Sequence, residues 1–181
     1  MFCSRRGPSV GCDGTDSCRN GHKYFDQFSL HRPSLLGRLP GFRFVIADEV
    51  IAEFAQADQQ QIIAEAMAAG HVQRESISSP DELAKLALFA ELRQILGAGE
   101  SSCLTLAEKR GWIVACDEKR VFLREATRRL GAGRILNTPG IYVLGIQAGS
   151  ITVAAADEAK AILEKHRFQM AFRSFSDLLS R

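Results

Sequence analysis

Three carboxylates stand out because of what surrounds them in the chain. Asp117 follows the unbroken apolar run Trp112-Ile113-Val114-Ala115-Cys116, which has the length and composition of a buried parallel strand, so the acid stands at that strand's carboxyl end. Glu100 lies in Gly97-Ala98-Gly99-Glu100-Ser101-Ser102, where glycines let the backbone turn tightly and set a carboxylate at a helix start. Glu53 falls on the first turns of the helix that follows the β-rich stretch Phe42 to Ile46. In open α/β sheets, sites form at the carboxyl ends of strands. Carboxylates converging there suit hard, oxygen-seeking cations such as Mg²⁺ or Mn²⁺, which bind phosphate oxygens, activate water and offset charge in phosphodiester cleavage. Each acid alone also has an ordinary reading: Glu100 as a partner of the helix dipole, Glu53 as a solvated helix acid, Asp117 as a turn or cap residue.

The bases are bunched. Residues 109 to 134 hold Lys109, Arg110, Lys119, Arg120, Arg124, Arg128, Arg129 and Arg134 against only Asp117, Glu118 and Glu125. Arg120, Arg124 and Arg128 recur at i, i+4 and share one helical face. That is either a solvated face or, beside converging acids, a surface that tracks a phosphate backbone, with Lys119 at its head. Ser101 and Thr138 sit at predicted element edges, where they cap a helix or orient water or phosphate.

The elements that must position these groups alternate in type. Phe42 to Ile46 reads as a short strand, and Asp48 as the N-cap of the helix through Val50 and Phe54. Asp58 to Ala69 is helical and ends at Gly70, and His71 to Ile77 is a weak strand. Ser79-Pro80-Asp81-Glu82 makes a capping box for a helix that stops near Gly97. A further helix follows Gly99 and closes at Gly111, then comes the strand ending at Asp117. Lys119 to Leu130 is helical, Arg134 to Leu136 a short strand, and Ala156 to His166 an amphipathic helix. Ile141 to Ile146 is ambiguous, β-branched in content but entered through Pro139-Gly140. Strands alternating with helices predict an α/β fold of three layers, α/β/α, around a central, mostly parallel sheet.

Residues 1 to 33 differ from residues 34 to 181. They hold Cys3, Cys12 and Cys18 and few aliphatics, and turn-formers dominate from Gly7 to Gly21. A zinc site from Cys12, Cys18, His22 and His31 matches no standard spacing. Over the whole chain of 181 residues, 46% are apolar and 24% charged, which excludes a disordered or coiled-coil chain. No apolar run is long enough for a membrane span. The net charge of +2 decides nothing about partners. Five cysteines without a C-x-x-C pair, and no apolar stretch behind Arg5-Arg6, place the chain in a reducing cytoplasm.

From Leu35 onward the pattern resembles the PIN-domain family, and within it the bacterial branch of nucleic-acid-binding proteins and toxin-type ribonucleases. Phe44-Val45-Ile46-Ala47-Asp48-Glu49-Val50-Ile51-Ala52-Glu53 is similar to the strand-loop-helix that delivers that family's second acid. Leu96 to Ala107 resembles its Gly-Glu-Ser helix start, and Trp112 to Arg120 its strand ending in acids. Asn137-Thr138-Pro139-Gly140-Ile141-Tyr142-Val143-Leu144 looks like the stretch leading into its next helix, which would make Ile141 to Ile146 helical. The resemblance implies a Mg²⁺- or Mn²⁺-dependent endoribonuclease acting on RNA, with a cognate antitoxin and a homodimer where the protein belongs to a toxin pair. It implies that Glu53, Glu100 and Asp117 hold the ion together with a first acid, for which Asp16 is the nearest match, ahead of Asp13 and Asp26. The family's first acid closes an apolar strand, whereas Arg19-Asn20-Gly21-His22-Lys23 stands here where an apolar helix would start. Two other readings remain: a PIN-fold module that binds RNA or protein without cutting, and a receiver-like domain, which would need an early acidic pair on a clear first strand.

Overall fold

The computed structural model describes residues 39–77, 83–117, 120–165 and 168–180, with two strands at 2–5 and 9–11. Strands β1 (Phe2–Arg5), β2 (Ser9–Gly11), β3 (Phe42–Ala47), β4 (Val72–Glu75), β5 (Ile113–Ala115) and β6 (Ile135–Leu136) form one sheet of order β4-β3-β1-β5-β6, with β2 paired to β1. Helices α1 (Asp48–Glu53), α2 (Ala57–Ala68), α3 (Leu83–Leu92), α4 (Ala98–Arg110), α5 (Val121–Leu130), α6 (Thr138–Gln147), α7 (Val153–Lys165) and α8 (Ser176–Leu179) alternate with the strands, as an α/β fold requires.

β3 pairs parallel with β4, placing Ala47 opposite Glu75, and β5 pairs parallel with β6, placing Ala115 opposite Leu136. β1 is antiparallel to β2, β3 and β5, so every strand but β1 runs the same way. The turn-rich, poorly patterned first 33 residues, read as a divergent first strand and helix, give no clear strand signal, and two short strands form at 2–5 and 9–11. The physical reason lies in the sheet: β3 and β5 do not pair with each other, and β1 meets hydrogen-bonding groups that both would otherwise leave open.

Phe44, Val45, Ile46 and Ala47 are buried in succession, the signature of a strand covered on both faces. α4 is the hub of the helices. It packs on α1, α3 and α5 and on β2, β3 and β5, and its residues from Gly99 to Ala107 are all buried. Its C-terminus closes on Gly111 in the left-handed conformation, φ 71°. Arg134 donates to the carbonyls of Ala107 (2.5 Å) and Trp112 (2.6 Å) beyond that end.

Two local expectations change. Asp48 is the first helical residue rather than the cap; Ala47 holds the N-cap position, and Asp48 Oδ1 accepts from Arg74 Nε at 2.5 Å instead. Glycine 99 lies inside α4, whose N-cap is Gly97. The ambiguous Ile141 to Ile146 is helical. Asn137 Oδ1 accepts from Gly140 N at 2.9 Å, Pro139 sits in the first turn, and Ile141 and Tyr142 are buried, so capping and packing override β-branched propensity. The capping box at Ser79 to Glu82 lies outside the described residues. Among the described residues no helix is long and apolar enough to cross a membrane.

Candidate active site

Two of the three acids meet at the start of α4. β3 runs directly into α1, and α1 packs on α4, so Glu53 at the end of α1 reaches across the chain. Its Oε1 accepts from the backbone N–H of Gly99 at 2.9 Å. Glu100 is the third residue of α4, and its Oε2 turns back to accept from the N–H of Gly97 at 3.0 Å. Both carboxylates thus meet N–H groups that a helix start leaves without intrahelical partners, where the helix dipole favours negative charge. The surroundings are closed: Glu100 is buried, as are Ser101 and Ser102. Ser101 Oγ donates to Gly97 O at 2.6 Å and Ser102 Oγ to Gly99 O at 2.8 Å, so these hydroxyls serve the helix's own backbone.

Asp117 stands at the carboxyl end of β5, as its sequence context predicts, and is half-buried. Its Oδ1 accepts from Thr138 N at 2.9 Å and its Oδ2 from Thr138 Oγ1 at 2.5 Å. The acid therefore holds the first residue of α6 and ties the end of β5 to that helix. It also borders a cleft of about 830 Å³ that Asn137, Pro139 and Gly140 share. The site at Gly140 is tight: a Cβ would come within 2.6 Å of Leu136 Cδ1 and 3.1 Å of Asn137 Oδ1, so the Leu136 side chain would have to move.

The structure divides the basic residues. Arg120, the N-cap residue of α5, and Arg124 within the helix are exposed, and Arg124 Nε lies 3.8 Å from Glu125 Oε1. Arg128 shares their face but donates to Glu125 Oε2 through Nε (3.0 Å) and Nη2 (2.6 Å). These bonds hold the Glu125 carboxyl below its ordinary range, against the opposing effect of burial. Arg129 points inward to Glu108 at 3.2 Å and to Glu91, linking α5 to α4 and α3. Arg110 pairs with Glu75 at 2.8 Å and lies over the Trp112 ring. Lys119 lies outside the described residues.

The donors suit a hard divalent ion in kind, since Glu53, Glu100 and Asp117 offer only oxygen. Convergence is a separate matter. Among the described residues, no group of three or more Asp, Glu, His or Cys side chains is placed to hold a metal ion. The described acids supply donors of the right chemistry rather than a complete centre. Asp16, Asp13 and Asp26 lie outside the described residues, as do Cys12, Cys18, His22 and His31.

Sequence reasoning passed over Glu49. It precedes Glu53 by one helical turn on α1, and its Oε2 is buried without a hydrogen-bond partner among the described residues. The i, i+4 spacing of two glutamates was the available signal. The aromatics Phe168 and Phe172 are visible in the sequence, but their place beside Asp117 is not, because they lie more than fifty residues further along the chain.

A family model described as PIN domain matches residues 29–181. No curated protein and no solved structure matches the chain.

Proposed function

This chain belongs to the PIN-domain family, a nuclease-type fold, and we propose that it is an endoribonuclease that cleaves RNA phosphodiester bonds with Mg²⁺ or Mn²⁺. The observation that supports this reading most is the Glu53–Gly99 hydrogen bond, which brings the acid at the end of α1 to the Gly-Glu-Ser start that carries Glu100. Glu53, Glu100 and Asp117 would hold the ion, with Asp16 as the fourth carboxylate. When bound, such an ion supplies charge neutralisation at the phosphate and lowers the pKa of water. The chain's own residues do the rest. The start of α4 orients Glu53 and Glu100 through the N–H groups of Gly99 and Gly97. Thr138 fixes Asp117 through two hydrogen bonds. Arg120 and Arg124, both exposed, would attract the sugar-phosphate backbone, and Lys119 and Arg128 would extend that surface. A role as the toxin of a toxin–antitoxin pair, working as a homodimer in the cytoplasm and held by a cognate antitoxin, extends the same reading.

One observation favours a second reading, a PIN-fold module that binds RNA or a protein without cutting. The strand at the centre of the sheet, Phe2-Cys3-Ser4-Arg5, contains no acid and runs against its neighbours. Two measurements separate the readings. Cleavage of a labelled single-stranded RNA is expected with Mg²⁺ and not with EDTA, and Asp16→Asn should abolish it. Calorimetric titration with Mg²⁺ should show saturable binding. Retained RNA binding with no heat of Mg²⁺ binding and no cleavage would replace the nuclease reading with the module.

A further inference from the structure

The cleft beside Asp117 is built from distant parts of the chain. Leu123 of α5, Val143 of α6, and Phe168 and Phe172 of the C-terminal segment line it. The polar groups on its surface are Asp117, Asn137 and Gln169. Asn137 spends its Oδ1 on Gly140 N, which leaves its amide N–H groups as donors. Its volume of about 830 Å³ falls in the range of sites for small organic groups.

The segment that carries these aromatic residues is fastened to the fold at Phe172 to Phe175. Asp157 of α7 accepts from Ser174 Oγ at 2.7 Å and from Phe175 N at 2.9 Å, which fastens the segment to the helix. Phe175 is fully buried against Tyr142, ring centroids 5.3 Å apart. Phe172 meets Phe175 edge-on at 5.0 Å and lies under Lys160 Nζ at 5.6 Å. A preorganised wall loses little freedom when a ligand settles on it. Leu123 also has bases beside it in the chain: Arg120 at the N-cap of α5 and Arg124, both exposed, the latter 3.8 Å from Glu125.

We propose that this cleft is a nucleobase subsite that takes one unstacked base of a single-stranded RNA next to Asp117. The base packs against Phe168 and Phe172, its edge meets Asn137 and Gln169, and its flanking phosphates pass Arg120 and Arg124. The inference rests on the nuclease reading and specifies which strands it acts on. Sequence-sensitive RNA recognition works through splayed bases that stack on aromatic rings, and every base has a face to offer. A duplex keeps its bases stacked inside, so it cannot fill the cleft. A purely apolar ligand would leave the amide N–H groups of Asn137 and the amide of Gln169 without use.

Fluorescence anisotropy tests the proposal on the full chain, with EDTA present so that no strand is cut. The probes are a labelled single-stranded hexaribonucleotide and a hexamer of the same backbone that is abasic throughout. The parent protein is expected to bind the base-bearing strand about tenfold more tightly than the abasic one, and a duplex of the same sequence no better than the abasic strand. Phe168→Leu should weaken the base-bearing strand to the abasic level and leave the abasic strand unchanged. Equal affinity of the parent protein for base-bearing and abasic strands overturns the subsite while leaving RNA binding intact, and that comparison does not depend on how the variant folds. No binding of any strand at low salt overturns the RNA reading and the subsite with it.

Discussion

The starts of α4 and α6 are built by the same device and put to different ends. In each, a carboxylate from a distant element accepts a hydrogen bond from a backbone N–H at the helix start: Glu53 from Gly99, and Asp117 from Thr138. At α4 the surroundings are packed. Glu100 is 5% exposed and Ser101 and Ser102 are not exposed at all. At α6 the acid is half-buried, and the surface beside it opens into the cleft. The difference teaches where each acid's value lies. Acids at a closed helix start hold the fold together first, whereas an acid on a cleft can meet a substrate without unpacking anything.

Substitutions can break or sharpen that contrast. The largest stability loss is expected at the closed end. Glu100→Ala removes the acceptor for Gly97 N and leaves a hole beside α4, costing about 2–3 kcal/mol, or roughly 5–10 °C in thermal melting. Asp157→Ala should come next at about 2 kcal/mol, because it releases both Ser174 Oγ and Phe175 N; limited proteolysis should then cut between residues 168 and 178. At the open end, Thr138→Val keeps the shape but removes the hydroxyl donor to Asp117, for about 1 kcal/mol in chemical denaturation. If Thr138→Val costs as much as Glu100→Ala, the contrast between the two helix starts is wrong.

The smallest effect is pH-dependent. The Arg128 hydrogen bond holds Glu125 below the ordinary 4.5. A carboxylate with a lowered folded-state value contributes stability that is fully present above the ordinary value and is lost as pH falls through the folded one. Glu125→Gln should therefore flatten the acid limb of the stability curve below about pH 4.5 and cost less than ~1 kcal/mol near neutrality.

How much of this could be read from the sequence depended on how local the cause was. The strand before Asp117, the helix start at Glu100 and the strand β3 follow from apolar runs and glycines next to the acids themselves. Helix α6 runs against its own propensity; its Asn137 cap and Pro139 are local signals, but the burial of Ile141 and Tyr142 and the bond from an acid 21 residues away are not. Asp48 reads as a cap because local spacing permits it, but Arg74 on the neighbouring strand wins its carboxylate. The basic face of α5 reads as uniform, while Glu125 draws Arg124 and Arg128 into ion pairs, Glu108 takes Arg129, and Arg120 stands exposed at the N-cap. The central strand Phe2–Arg5 leaves no periodic signal, since four residues are ordered by the two edges they meet rather than by a pattern of their own. The aromatic cleft joins α5, β6, α6 and the C-terminal segment, a convergence that no window of sequence contains.

The most direct test compares RNA cleavage by the parent chain and by Asp117→Asn, with Mg²⁺ present and thermal melting run on both. Asparagine matches the shape of the carboxylate beside Thr138, so the melting temperature should move by only a few degrees. Cleavage by the parent chain and a loss of about 100-fold or more in Asp117→Asn is the expected result. Equal cleavage by the two proteins would contradict the placement of the active site at the carboxyl end of β5.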